Sequence, residues 1–231
     1  MFGMIAALVL MTGAFTGLSA GNTEGAAIDA FVLVNGDEVV ESDFVTRLAT
    51  VEQNLMMLSA ETENAGEGRS LAESLLDIMQ STPAETIALA SLILDKAIYQ
   101  EAIERGHMPD QELIAQQVEQ ERSMFEMIEA SPEQYGVNEA DVQNYRDNIE
   151  EIGGDDLYWN EFYPQIMEQQ MAVQQFQMTA SQEGQDWIVI QRQAFDSAEV
   201  RVGDPDAIAP ATVSAAGDYL TDVWDLYQDQ G

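Results

Sequence analysis

Covalent or acid-base chemistry needs a nucleophile, a base or a set of metal ligands within reach of one another, and this sequence supplies few of them. It has one histidine, His107, and no cysteine. His107 directly follows a helix-stopping glycine, Gly106, where an imidazole stabilises a helix C-terminus or stands in solvent. Nothing in the sequence pairs it with a serine as a base would be paired. Glu150-Glu151 and Asp155-Asp156 bring carboxylates together, but no loop of alternating ligands with a closing glutamate surrounds them, so they read as a solvated face. No phosphate-binding glycine loop occurs. The chain is therefore expected to be non-enzymatic, with no catalytic residue, no metal and no cofactor.

Methionine carries more information. Met56, Met57, Met124, Met127, Met167, Met171 and Met178 sit in helical patterns beside Phe125, Trp159, Phe162, Tyr163 and Phe176. Flexible, polarizable thioethers repack around varied apolar ligands, so a surface of methionine and aromatic side chains suits peptide binding. A methionine at helical spacing is also an ordinary core residue. We expect about two thirds of these methionines in the core. A groove is expected to draw on Met56, Met57, Met124, Phe125, Met127, Trp159, Phe162, Tyr163, Met167, Met171 and Phe176.

Charge narrows the class of partner. Forty-two acidic residues stand against eight basic ones, a net charge of -34, and Lys96 is the only lysine. Nucleic acid is excluded as an expected partner, because its affinity comes from Lys and Arg meeting phosphates. Self-repulsion of this size destabilises a compact state at low ionic strength, where the Debye length is long. Scarce lysine with abundant carboxylate points to adaptation to a saline habitat. With no cysteine, neither disulfides nor thiolate metal sites hold the fold.

The elements that would position these side chains are mostly helical. Residues 1–20 carry no charge and hold the apolar run Met4 to Met11 before small residues ending at Ala20, which reads as an export signal. An uncleaved signal would tether the chain to a membrane, although Gly3, Gly13 and Gly17 interrupt the run. A linker is expected over 21–30. Asn35-Gly36 between apolar runs predicts a β-hairpin, because both residues tolerate positive φ. Ser42 is expected to cap a helix with Phe44, Val45, Leu48, Val51, Leu55 and Leu58 inward, and 59–68 reads as a loop.

Beyond that loop, helices are predicted from Leu71 to Met79 and from the Thr82-Pro83-Ala84-Glu85 start signal to Gly106. The second of these should bury one face, formed by Ile87, Ala90, Leu94, Ala97 and Ile98. Further helices follow from about Asp110 to Ala130, with Leu113, Ile114, Val118, Phe125 and Ile128 inward, and from Glu139 to Ile152 after an Asn138 cap. Another covers Asp156 to Ser181, kinked or restarted at Pro164. Helical spacing resumes at Trp187, and 198–202 alternates as a strand. The composition of 203–217 predicts a linker, and Tyr219 to Gln228 a small terminal helix.

A hairpin, then several helices, then one returning strand is an unusual order. The segments Val34 to Phe44, Leu92 to Leu113, Trp187 to Ala194 and Ala198 to Val202 resemble, in that order, the peptide-binding domain of SurA/PrsA-type periplasmic chaperones. The resemblance covers about 31–202, leaving 203–231 as linker and short helix. It implies a mainly helical domain whose returning strand pairs with the N-terminal hairpin. Relatives often carry a parvulin isomerase before the returning helix; here only ten residues separate Phe176 from Trp187, too few for a domain. The expected function is an extracytoplasmic, ATP-independent holdase for unfolded or extended segments of exported polypeptides. The alternatives are a structural adaptor for one dedicated partner or for a second copy of itself, and, less favoured, a prolyl isomerase.

Overall fold

The computed structural model describes residues 31–63, 71–203 and 208–228. The expected export signal and the linker over 21–30 lie outside them. The chain is mainly helical with one small antiparallel sheet of three strands. It divides into two compact units: unit 1 takes the described parts of Met1–Glu101 and Thr179–Gly231, and unit 2 is Ala102–Met178.

Unit 1 begins with strands β1 (Val32–Val34) and β2 (Asp37–Val39). Asn35 and Gly36 both adopt positive φ, 51° and 94°, the conformation a two-residue hairpin turn needs. The strand β3 (Val200–Val202) pairs antiparallel with β1, giving the order β2-β1-β3. Val32 lies opposite both Val39 and Val202, and Val34 opposite both Asp37 and Val200. Val32, Val34 and Val39 are completely buried, so this register puts one valine face on the core.

Polar side chains lock the register. Asn35 Oδ1 accepts a hydrogen bond from the Glu199 backbone N–H at 2.6 Å. Gln100 Nε2 donates to the Val34 carbonyl at 3.0 Å and to Asp37 Oδ2 at 2.6 Å. The hairpin is thereby tied both to the returning strand and to a helix.

The helices of unit 1 are α1 (Glu41–Glu63), α2 (Leu71–Ser81) and α3 (Ala84–Glu104, whose last turn belongs to unit 2). Ser42 does not cap α1 but lies within its first turn, and α1 continues through positions read as loop. Thr82 does not cap α3 either; its hydroxyl donates back to the Ile78 carbonyl at 2.9 Å. All the expected inward residues of α3 are buried, but so are Ala88, Leu89, Leu92 and Ile93. This helix is packed on several sides, a state that a continuous apolar run conceals from periodicity.

Unit 2 contains α4 (Gln111–Ala130), a 3₁₀ turn (Pro132–Tyr135), α5 (Glu139–Ile152), a helical turn (Asp155–Leu157), a π-helical segment (Tyr158–Phe162) and most of α6 (Tyr163–Gln182). Asp110 and Asn138 cap α4 and α5 by accepting from the N–H groups of Glu112 and Ala140. Pro164 explains the π segment: it has no N–H for the Asn160 carbonyl, and the Tyr163 N–H reaches back five residues to Tyr158 instead. In unit 1, α7 (Trp187–Ser197) starts from an Asp186 cap.

The last helix, α8 (Pro210–Gln228), is far longer than the expected Tyr219 to Gln228. Pro210 occupies the first helical position, where its missing N–H costs nothing. Ala216, Leu220, Val223 and Trp224 are buried, so this segment belongs to the core. Gly217 faces Phe195 of α7, where a Cβ would stand 3.4 Å from Cε1, an ordinary van der Waals contact.

Candidate functional site

Unit 1 has a cluster of Val51, Leu58, Leu75, Leu76, Met79, Ile87, Ala88 and Val223 as its core. Beside it α1, α2, α3 and α8 enclose a cavity of about 50 Å³. Its walls are mostly apolar, but Arg47, Asn54, Ser91, Asp95, Tyr219 and Tyr227 also line it. Arg47 Nη2 meets Asp95 Oδ2 at 2.6 Å, with side-chain exposures of 7 % and 15 %, and Arg47 Nη1 donates to Ser91 Oγ at 3.2 Å. Burial pushes the Asp95 carboxyl up to about 6, against the downward pull of Arg47 and Lys96. Burial likewise raises the Tyr219 and Tyr227 phenols. The volume suits a few water molecules and is far below the several hundred Å³ of an organic ligand site. The ion pair is a polar seam joining α1 to α3.

Unit 2 is built on aromatics. Tyr158 and Trp159 are buried, with Phe125, Tyr145, Phe162, Tyr163 and Met171 packed around them. The Tyr145 and Tyr158 hydroxyls are 2.7 Å apart. Burial raises the Tyr158 phenol, and the Tyr145 hydroxyl raises it further. Burial with the nearby Glu121 charge pushes Tyr163 up to about 12. Proton loss from these phenols is suppressed, and the cluster has the character of a core. An open hollow of about 250 Å³ lies beside it, lined by Ile114, Val118, Arg122, Trp159, Asn160 and Pro164 among others.

The candidate peptide-binding residues divide sharply by exposure. Met56 is 71 % exposed and Met57 56 %, both on α1 in unit 1; Met124 and Met127 are exposed on α4 in unit 2. Phe125, Phe162, Tyr163 and Met171 are half-buried against the aromatic core. Trp159 at 3 %, Phe176 at 2 % and Met167 are buried, which removes them as groove-lining surface.

Ring packing buries two of these side chains. Trp159 meets Tyr158 and Tyr163 edge-on, at 4.8 and 5.1 Å between centroids. Phe176 is stacked by His107 at 5.2 Å and overlain by the Arg105 guanidinium at 5.0 Å. His107 thus serves packing just past the end of α3, where its N–H also bonds the Ala102 carbonyl.

The expected division of the methionines is reversed. Of the seven considered, Met56, Met57, Met124, Met127 and Met178 are exposed, Met167 is buried and Met171 is half-buried. Val45 and Leu113, expected inward, are exposed as well, and so is Met108. A usable signal existed in the spacing: Leu113, Met124 and Met127 share one side of α4, while Ile114, Val118 and Phe125 share another. One helix with two apolar stripes has one more than its core requires.

On α1 the exposed positions from Val45 to Ala60 carry a single charge, Glu52, which sets this face apart in so acidic a chain. Among the described residues no group of three or more His, Cys, Asp or Glu is arranged to hold a metal ion, and no helix is long and apolar enough to cross a membrane. Compared with protein-family models, curated proteins and solved structures, the chain matches none.

Proposed function

We propose that this chain is an extracytoplasmic, ATP-independent holdase that binds unfolded or extended segments of exported polypeptides. The observation that carries this reading is methionine on the surface. Among the described residues, six of the ten exposed large apolar side chains are methionine: Met56, Met57, Met108, Met124, Met127 and Met178. Methionine is the apolar side chain that adapts its shape most readily, so it fits partners of varied sequence. The likeness to SurA/PrsA-type chaperone domains in the order of hairpin, helices and returning strand adds to it. Abundant exposed carboxylate would keep a client complex soluble.

The test is aggregation of a denatured client diluted into buffer at several salt concentrations, without nucleotide. The proposal expects light scattering to be suppressed near stoichiometric ratios. No suppression at any salt, together with no peptide binding, would sink it. A pull-down that recovers one stoichiometric partner in place of many weak ones would point to the adaptor instead.

A further inference from the structure

Asn35 does more than turn the chain, because an asparagine followed by glycine is the dipeptide most prone to lose its side-chain amide: glycine has no Cβ to shield its nitrogen from the neighbouring carboxamide. No other asparagine of this sequence precedes a glycine, and Asn35 and Gly36 are both exposed to water. The structure nevertheless holds the carboxamide at both ends. Its Oδ1 accepts from the Glu199 N–H at 2.6 Å, and its Nδ2 donates to Gln100 Oε1 of α3 at 2.7 Å. The Asn35 N–H also donates to the Glu199 carbonyl at 2.9 Å.

From this clamp we infer that Asn35 is a site of spontaneous deamidation guarded by the fold of unit 1, reacting when the hairpin parts from β3 and α3. The reagent is water, and the chemistry is independent of what the chain binds. The Gly36 backbone nitrogen gives its proton to solvent and attacks Asn35 Cγ. The new Cγ–N bond closes a cyclic imide, the Cγ–Nδ2 bond breaks, and Nδ2 leaves as ammonia with a proton from solvent. Water then splits one imide C–N bond, giving aspartate, or isoaspartate where the backbone bond is the one split; nothing is oxidised or reduced. Ring closure needs the Gly36 nitrogen turned to the side of Cγ, by rotation about the Asn35 Cα–C bond. With φ at 51° and 94° in the two-residue turn and the strands paired on either side, that rotation is blocked until the hairpin opens.

The product does not fit where the amide was. A carboxylate at position 35 sets an acceptor against Gln100 Oε1, and turning the Gln100 amide round only moves the clash to Asp37 and the Val34 carbonyl, to which Gln100 now donates. Glu38 and Glu199 stand on either side in sequence or pairing and add like charge. Isoaspartate also puts an extra carbon into the backbone of the turn, and the register that buries Val32, Val34 and Val39 depends on turn length. Each event therefore leaves unit 1 less able to reclose.

The test ages the full chain at high salt and, in parallel, in urea. The peptide holding Asn35 is followed by mass for the change from amide to acid, and by enzymatic methylation for isoaspartate. Deamidation is expected to run about tenfold or more faster in urea, since only the open fraction of the folded chain reacts. Gln100→Ala, which frees Nδ2 from α3, should raise the rate several-fold in the folded chain and leave it unchanged in urea. Chain aged in urea and refolded should unfold at a lower urea midpoint than fresh chain, with Asn35→Asp, which adds the charge without the extra carbon, between them.

Equal rates in the two conditions overturn the inference, because the fold would then guard nothing. So does an Asn35 that stays an amide in urea, and so does a folded Gln100→Ala chain that keeps the parent's rate. Should Gln100→Ala fail to fold, the parent's two rates still decide. An aged chain with the midpoint of fresh chain would overturn the claim that the product hinders reclosing.

Discussion

Each unit holds an arginine to carboxylates, but at different depths and within different cores. In unit 1, Arg47 and Asp95 are mostly buried beside aliphatic side chains. In unit 2, Arg146 is partly exposed; it grips Glu129 through two nitrogens at 2.9 and 2.6 Å and Asp155 at 2.7 Å, and lies over the Phe125 ring at 5.1 Å. Similar side-chain chemistry therefore does different work. Near the surface, water screens the pair and little is at stake. In the interior each charge has lost its hydration and depends on its partner. The raised carboxyl of Asp95 records that loss, because burial outweighs the attraction of a guanidinium in direct contact.

The largest effect is expected from breaking the buried pair. Arg47→Met takes the guanidinium partner from the buried Asp95 carboxyl, which is then pushed up further, and should cost about 3–5 kcal/mol above neutral pH, where the carboxyl must ionise unpaired, measured by urea unfolding. The double substitution Arg47→Met with Asp95→Leu removes both charges and should recover most of that loss.

The pH dependence has a definite sign. Folded Asp95 titrates near 6 against 3.8 for the unperturbed group, so between these values the folded state binds the proton more tightly. This residue's contribution to stability therefore falls as pH rises through that window and is flat above it. Accordingly the penalty of Arg47→Met should shrink on acidification, as Asp95 takes up a proton. A penalty that grows toward low pH would show that the carboxylate is stabilised where it stands.

The contrast between the units also governs what the sequence reveals. The hairpin was legible at Asn35-Gly36, and the helix starts at Asp110 and Asn138, because turns and caps are decided by side chains acting on neighbouring backbone. The strand at Val200–Val202 showed its alternation. The first half of α8 did not show as helix: Pro210, Ala and Gly217 have the composition of a linker, and it is the burial of Ala216, Leu220, Val223 and Trp224 that draws the segment into the core. Side-chain direction was least legible. Trp159 and Phe176 are as apolar in sequence as the exposed Met56, and what separates them is the ring of neighbours that folding assembles. Neither the Arg47–Asp95 pair nor the Gln100 bridge has a local signature, since their partners lie far away along the chain.

A smaller effect should follow from the hydroxyl pair of unit 2. Tyr158→Phe keeps the ring contacts with Trp159 and Tyr163 but takes away the partner of the Tyr145 hydroxyl. We expect a loss of about 1–2 kcal/mol in urea unfolding. The Tyr145 phenol, which that hydrogen bond lowers against the upward push of burial, should then titrate at higher pH by tyrosinate absorbance. A shift to lower pH would mean that the bond favours the neutral phenol.

The smallest effect should come from Arg146→Lys, and it is the sharpest test of depth. Lysine keeps the charge but loses the planar fork that meets Glu129 through two nitrogens and the flat face that lies on Phe125. Its ammonium can still approach Glu129 or Asp155, both more exposed than Arg146 itself. Stability should fall by no more than about 1 kcal/mol, and the difference from the parent chain should narrow further at high salt as the remaining pairs are screened. A loss matching that of Arg47→Met would mean that the fork and the ring contact hold unit 2 as firmly as burial holds unit 1, and the ordering by depth would then be wrong.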